Sequence, residues 1–179
     1  MLFRSVGTSG PVDAPERIER LDASVGIASD EQELKVTINH LSLRAQEPAF
    51  GVNALSGTIR RHENQLVIDK LALRTPESSL DANGTITNIE GQAPGVDLRV
   101  TSDRLDLREI AELIPALRGY DMQPAFEVTA KGPADAMKVD LDVREQTAGA
   151  VQASLTVDSE APGRRVAGTV AMQHFNVGR

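Results

Sequence analysis

The chain has 179 residues, of which 40% are hydrophobic and 25% are charged, and it contains no cysteine. This composition suits one folded domain and excludes disulfides, cysteine nucleophiles and thiolate metal sites. The net charge of −7 and the lack of a basic stripe argue against a nucleic-acid partner, and no apolar run approaches the roughly 18 residues of a membrane helix.

In chain order, residues 1–16 carry Gly, Pro and Ser and are predicted to form a loop or an edge strand. From residue 17 onwards, apolar residues recur at nearly every second position, which is typical of antiparallel strands with one polar face. Turn-forming residues separate these segments. One predicted strand begins at Leu34. The others cover 18–28, 52–61, 65–74, 78–87, 95–102, 124–131, 137–145, 149–158 and 164–175.

Residues 105–119 break this alternation, because their apolar residues have helical spacing. Asp106 is the predicted N-cap, Glu109 the second member of a capping box and Gly119 the C-terminal cap. Pro115 is expected to end or kink the helix. We expect this amphipathic helix to cover one end of an apolar sheet face. A membrane-surface helix is the alternative, which is less favoured because acidic residues offset the two arginines.

A nine-residue phrase occurs four times, at 36–44, 66–74, 100–108 and 170–178. In each copy apolar residues alternate, a polar pair interrupts them, and apolar residues alternate again. The marker Gly-Thr-Ile or Gly-Thr-Val recurs at 57–59, 84–86 and 168–170. Recurrence of this kind predicts similar β units added side by side, and a glycine within a strand suggests a bend or a close approach of two backbones.

The phrase also shifts the apolar positions from even to odd numbers, as between Ile38 and Leu41. A regular strand would place these two residues on opposite faces. One extra residue at the polar pair, a β-bulge, would return them to one concave face and bend the strand. The alternative is that the phrase ends one strand and starts the next.

The histidines and aspartates that could serve in catalysis mostly occupy equivalent positions of the repeated phrase, which favours a structural role over an active site. His40 and His174 occupy a position that lysine or arginine fills in the other copies, and His62 lies in a predicted turn. Asp69 and Asp103 alternate with amide residues, which argues against a carboxylate pair for acid–base work and favours hydrogen bonds to the backbone at the bulge. We therefore expect no enzyme activity, no metal site and no cofactor.

The segments 55–59, 66–73, 78–86 and 105–119, followed by a strand that ends at Lys131-Gly132, resemble the repeat pattern of AsmA-like and TamB-like proteins. The resemblance spans about residues 18–177. It implies a periplasmic β-groove, inside a longer protein anchored in the bacterial inner membrane through a segment outside this sequence. It also implies transport of phospholipids between the inner and outer membranes, or support of outer-membrane biogenesis, with phospholipid acyl chains or outer-membrane assembly proteins as partners.

The sequence thus predicts a mainly β fold: a curled antiparallel sheet that forms an open groove of repeated units, with one short amphipathic helix. We expect residues 1–179 to be a single β-repeat domain with repeats at 17–104, a helix at 105–119 and further strands at 120–179. The candidate lipid-groove residues are the repeat aliphatics. They are Val36, Ile38, Leu41, Leu43, Leu66, Ile68, Leu71, Leu73, Leu98, Val100, Leu105 and Leu107.

A different function is compatible with the same strands. They could pack dry against a second sheet and form a β-sandwich scaffold or interaction module without a lipid conduit. The chain has only five aromatic residues, four Phe and one Tyr, and aromatic side chains usually supply much of the volume of such a core. The distinction depends on whether the apolar face is open or covered.

Overall fold

The computed structural model describes residues 17–91, 93–146, 149–159 and 165–173. Residues 1–16, for which a loop or an edge strand is predicted, and the end of the fourth phrase, with His174, lie outside these ranges. The elements follow in chain order. They are β1 Arg17–Ser29, β2 Glu33–Gln46, β3 Phe50–His62, β4 Gln65–Arg74, β5 Ser79–Thr87, β6 Gly95–Arg104, α1 Leu107–Ala111, a 3-10 turn Pro115–Leu117, β7 Ala125–Pro133, β8 Met137–Glu145, β9 Gly149–Asp158 and β10 Arg165–Gln173.

All ten strands belong to one antiparallel sheet, and their spatial order is their order in the chain. The sheet does not close on itself, since β1 and β10 lie at its two ends. This confirms the predicted fold class: mainly β, with one open antiparallel sheet and one short helix.

The sheet lacks a conventional core. Among the described residues, the buried apolar side chains are Ala45, Val52, Ala111 and Ala134. Chains of this length usually bury far more apolar surface, because a second layer covers one face of the sheet. Here strands contact their sheet neighbours, so stability comes from the backbone ladders and from side-chain pairs along each face.

The predicted bulge is present in the first two copies of the phrase. In β2, Ile38 pairs with Val25 and Leu41 pairs with Ala23, so two residues of β2 oppose only Ser24 in between. In β4 the pairs are Ile68 with Gly84 and Leu71 with Ala82, and two residues again oppose one. Because β1 has regular alternation through Ala23 and Val25, their partners Leu41 and Ile38 lie on one face.

The third copy differs from the first two. β6 ends at Arg104, and Leu105 leads instead into α1. The Leu105 N–H donates to the Pro124 carbonyl, which ties this connection to the chain that leads into β7. The alternative prediction, that the phrase ends one strand and starts the next, is therefore wrong for the first two copies. For the third copy its first half is correct, because β6 ends within the phrase, but a helix and not a strand follows.

The helix is shorter than the predicted span of 105–119. α1 ends at Ala111, and a separate 3-10 turn begins at Pro115, which has no N–H to continue the α-helical pattern. Asp106 is the N-cap, as predicted, and accepts from the backbone N–H groups of Arg108 and Glu109. Gly119, with φ of +97°, follows the 3-10 turn rather than the α-helix. Neither segment could span a bilayer, which requires about 20 residues.

The capping box is not formed. The Glu109 carboxylate accepts from the Ser78 hydroxyl at 2.6 Å and from the Thr75 hydroxyl, both in the turn between β4 and β5. The N–H of Asp106, which a capping box would give to Glu109, donates to the Ser78 hydroxyl at 3.0 Å instead. These contacts dock the start of α1 against that turn.

Candidate functional site: an apolar strip across the sheet

The pairing registers align apolar residues of successive strands into rows that cross the sheet. Three adjacent rows lie on one face, and we call them the apolar strip. The first row is Ile27, Val36, Ile59, Ile68, Gly84, Leu98, Ala130, Val139, Leu155 and Gly168. The second row is Val25, Ile38, Gly57, Leu71, Ala82, Val100, Val128, Leu141, Ala153 and Val170. The third row, in which β5 contributes Leu80 beside the bulge of β6, is Ala23, Leu41, Leu55, Leu73, Leu80, Ser102, Phe126, Val143, Val151 and Met172.

The apolar strip contains no charged residue. Ser102 is its one polar residue; this side chain is buried, and its hydroxyl has no hydrogen-bond partner in the described part of the chain. The nine intervals between ten strands give the strip a length of about 43 Å at the usual strand spacing. Such a strip is longer than the hydrocarbon core of a bilayer, which is about 30 Å thick.

Ten of the twelve candidate groove residues lie in strands on this face. Leu43 and Leu66 flank the three rows, and the other eight belong to them. Leu105 and Leu107 do not, because Leu105 follows the end of β6 and Leu107 is the first residue of α1. The candidate list missed the apolar members contributed by β1, β3, β5 and β7–β10, although the period-two pattern of these strands is visible in the sequence.

Gly57, Gly84 and Gly168, which begin the recurring markers, allow the strands to approach closely within this strip. A Cβ atom built at Gly84 would lie 2.1 Å from the carbonyl oxygen of Asp97 and 2.7 Å from the Cα of Leu98. At each of the three positions such an atom would lie 2.1 Å from a carbonyl oxygen of the adjacent strand. The expectation of a close backbone approach at these glycines is confirmed.

The opposite face, which we call the charged face, carries exposed ion pairs. Arg60 binds Asp69 through two hydrogen bonds of 2.7 and 2.8 Å, and Arg99 binds Glu127 at 2.8 Å. The Arg60 guanidinium holds the pKa of Asp69 below its usual value. The sequence suggested that Asp69 accepts hydrogen bonds from the backbone at the bulge. In the structure its carboxylate instead forms an ion pair with Arg60. Exposed pairs of this kind contribute little stability, but they keep this face hydrated.

A depression of about 880 Å³ opens on the charged face over β6–β10. Its lining includes Arg99, Glu127, Asp140, Asp142 and Arg144. Asp142 is bound by Arg144 at 2.9 Å, and Asp140 accepts from the Ser154 hydroxyl at 2.7 Å. In this half of the sheet the depression therefore lies on the charged face, opposite the apolar strip. Its cause is strand twist, which gives an open sheet a saddle shape and makes each face concave along one diagonal.

The two histidines of the described ranges do not assemble into a site. His40 and His62 are both exposed, and no group of three or more potential ligands for a metal ion comes together within the described ranges. We expect His40→Lys to change the free energy of unfolding by no more than about 0.5 kcal/mol, as for other surface substitutions. Urea denaturation checks this, and a loss of several kcal/mol would show that the imidazole has a structural or ligand role.

Comparison of the chain with protein-family models, with curated proteins and with solved structures finds no match. The resemblance to AsmA-like and TamB-like proteins remains a prediction from the repeat pattern. The apolar strip is the feature of the fold that most needs a chemical explanation.

Proposed function

We propose that the apolar strip binds phospholipid acyl chains, and that the chain serves as a segment of a periplasmic lipid-transport groove in the bacterial envelope. In that setting it holds lipids that pass between the inner and outer membranes, or it supports outer-membrane biogenesis. The observation that carries the proposal is the apolar strip: three charge-free rows that cross ten strands and have no second sheet over them in the described chain.

An uncovered apolar surface of this extent needs an occupant, because contiguous exposed apolar patches are rare on soluble proteins unless they bind something. Acyl chains are suitable occupants, since each buried CH₂ contributes about 0.8 kcal/mol. The strip offers them aliphatic contacts along its length and no charged group. Such contacts hold a chain without fixing its position, which suits passage along the strip.

The division of the sheet into two chemically different faces supports the same proposal. The charged face is hydrated through ion pairs such as Arg60–Asp69, whereas the bulges at 39–40 and 69–70 keep aliphatic residues of β2 and β4 on the apolar face. Without each bulge, one half of the strand would turn its aliphatic residues toward the charged side. The bulges therefore maintain the width of the strip.

Photo-crosslinking tests this function. A photoreactive amino acid at Leu71, in the second row, is expected to label phospholipid when the protein is incubated with vesicles of phosphatidylethanolamine and phosphatidylglycerol. The same amino acid at Lys35 is the matched control, because Lys35 is exposed between Leu34 and Val36 and faces the charged side. Lipid should be recovered from the Leu71 variant and not from the Lys35 variant.

Equal labelling at both positions would indicate nonspecific capture and contradict the proposal. Absence of labelling at Leu71 would favour the alternative function, a scaffold or interaction module whose apolar face binds protein. The two variants share one fold if their circular dichroism spectra agree, so this comparison does not depend on stability.

A further inference from the structure

The two edge strands expose apolar side chains as well as unpaired backbone. All thirteen residues of β1 and all nine of β10 are exposed. Ile27 in β1 is 72% exposed, and Val170 in β10 is 56% exposed. Within the described ranges each of these strands pairs on one side only, β1 with β2 and β10 with β9.

The first half of β1 carries four charged residues and a bulge between Ile18 and Arg20, but the rest of β1 and all of β10 have fewer of the features that usually prevent further pairing. Proteins protect open edges with inward-pointing charges, prolines or bulges. β10 has one charged residue, Arg165, and no proline, and its pairing with β9 is regular throughout. The second half of β1, residues 23–29, has no charge and no proline. Both segments are therefore competent to accept another strand.

The glycines of the apolar strip indicate what kind of strand fits β10. Gly57 lies between Ile38 and Leu71 of its two neighbouring strands, and Gly84 lies between Ile68 and Leu98. In both cases the glycine is paired with a large aliphatic residue on each side.

Gly168 has one of these two neighbours. It pairs with Leu155 of β9, and its other side is the open edge of the sheet. The first row of the strip, which Gly168 ends, begins at the opposite edge with Ile27, a large aliphatic residue whose outer side is also open. If Gly168 of one molecule paired with Ile27 of another, each of these two residues would gain the neighbour that it lacks within its own sheet.

We propose that β10 pairs with β1 of a second copy of this chain, antiparallel and in register, so that the sheet and its apolar strip continue from copy to copy. The register places Gly168 opposite Ile27, Val170 opposite Val25 and Met172 opposite Ala23, and it brings Arg165 to Asp30. The direction agrees with the fold, because the first and tenth strands of an antiparallel sheet ordered along the chain run in opposite directions. The interface joins different edges, so it adds copies head to tail.

Strand pairing of this kind does not depend on whether the strip binds lipid. The chain has no cysteine, so engineered thiols report the pairing directly. Val25→Cys and Val170→Cys are made as separate proteins, mixed and treated with a mild oxidant. The expected product is a disulfide-linked heterodimer, in excess over either homodimer. The control mixture pairs Val25→Cys with Ala171→Cys, whose side chain lies on the charged face, and it should yield at least about tenfold less heterodimer, since disulfides require aligned Cβ atoms.

A second measurement uses association of the cysteine-free protein. Light scattering is expected to show an average mass that rises with concentration beyond that of a dimer. Ile27→Lys should raise the dissociation constant about tenfold or more, because it places a charge opposite Gly168 in the interface. Ser24→Lys, on the charged face of the same strand, should leave the dissociation constant within about twofold.

Both lysine variants should fold, because Ile27 and Ser24 are exposed in the single chain, and circular dichroism checks this. A protein that remains monomeric at all concentrations would overturn the proposal. Predominant disulfide-linked homodimers of Val25→Cys or of Val170→Cys in the oxidised mixture would overturn it as well. Lipid labelling at Leu71 is a separate measurement, so failure of the pairing and failure of the lipid function are distinguishable.

Discussion

Gly84→Ala is expected to lower the free energy of unfolding by about 3 kcal/mol or more, since it combines backbone strain with overpacking. Gly84 has φ of +150°, which residues with a side chain rarely adopt. Its added methyl group would lie 2.1 Å from the Asp97 carbonyl oxygen, which the β5–β6 ladder holds in place. Relief requires the two strands to move apart. Urea denaturation measures the change.

Gly26→Ala is the matched control, because this glycine also lies within a strand. A Cβ atom at Gly26 would approach no atom closer than the Thr37 carbonyl oxygen, at 3.9 Å. We expect a change of no more than about 0.5 kcal/mol, or a slight gain from reduced freedom of the unfolded chain. Equal effects of the two substitutions would show that close strand approach does not explain the recurring glycine.

Asp106→Ala is expected to cost about 2–4 kcal/mol, because it removes the N-cap of α1 and the buried carboxylate that accepts charge-assisted and amide hydrogen bonds from Arg108 and Gln123. Asp106 is 1% exposed. Its carboxylate accepts from the Arg108 guanidinium at 2.8 Å and from the Gln123 side-chain amide at 2.7 Å, in addition to the backbone N–H of Arg108. It thus joins α1 to the segment that leads into β7. Asp103→Ala, at an exposed position nearby, is the control and should have little effect.

The same carboxylate makes stability depend on pH. The Arg108 guanidinium, and then the Gln123 amide and the N–H groups of the helix start, hold the pKa of Asp106 well below its usual value. A carboxyl group with a lowered pKa in the folded state contributes its full stability above the unfolded pKa of about 3.9, and the contribution is lost as pH falls through the folded value. The difference in stability between the native protein and Asp106→Asn should therefore be larger at pH 7 than at pH 3. A difference that does not change would contradict the charged role of Asp106.

The strand pattern could be predicted from the sequence because each strand shows one face to water. Period-two alternation and turn residues located β4, β8 and β9 with the bounds that the structure has. The parity change between Ile38 and Leu41 correctly indicated a bulge, since side-chain direction in a strand depends only on residue count. Both inferences use local geometry, which the sequence carries directly.

Other features depend on contacts between distant segments. The helical spacing over 105–119 does not reveal that Glu109 binds the turn at Ser78, so the capping box was a reasonable but wrong prediction. Alternation in β1 is the same as in the interior strands, so no local signal indicates that residues such as Ile27 lie at an open edge. The depression on the charged face depends on the twist of the whole sheet, which no local pattern reports.

The agreement between chain order and spatial order has a consequence for how the molecule folds. Each strand finds its partners a few tens of residues away along the chain, and no pairing in the described sheet joins distant parts of the sequence. Contacts of short sequence separation form quickly, because little loop-closure entropy is lost before the first hairpin is made. Folding can begin at any hairpin and extend strand by strand toward both edges, as in other architectures in which each unit contacts only its neighbours. Damage at one hairpin then remains local. We expect β1 and β10, which pair on one side only within the described sheet, to be the first strands to separate.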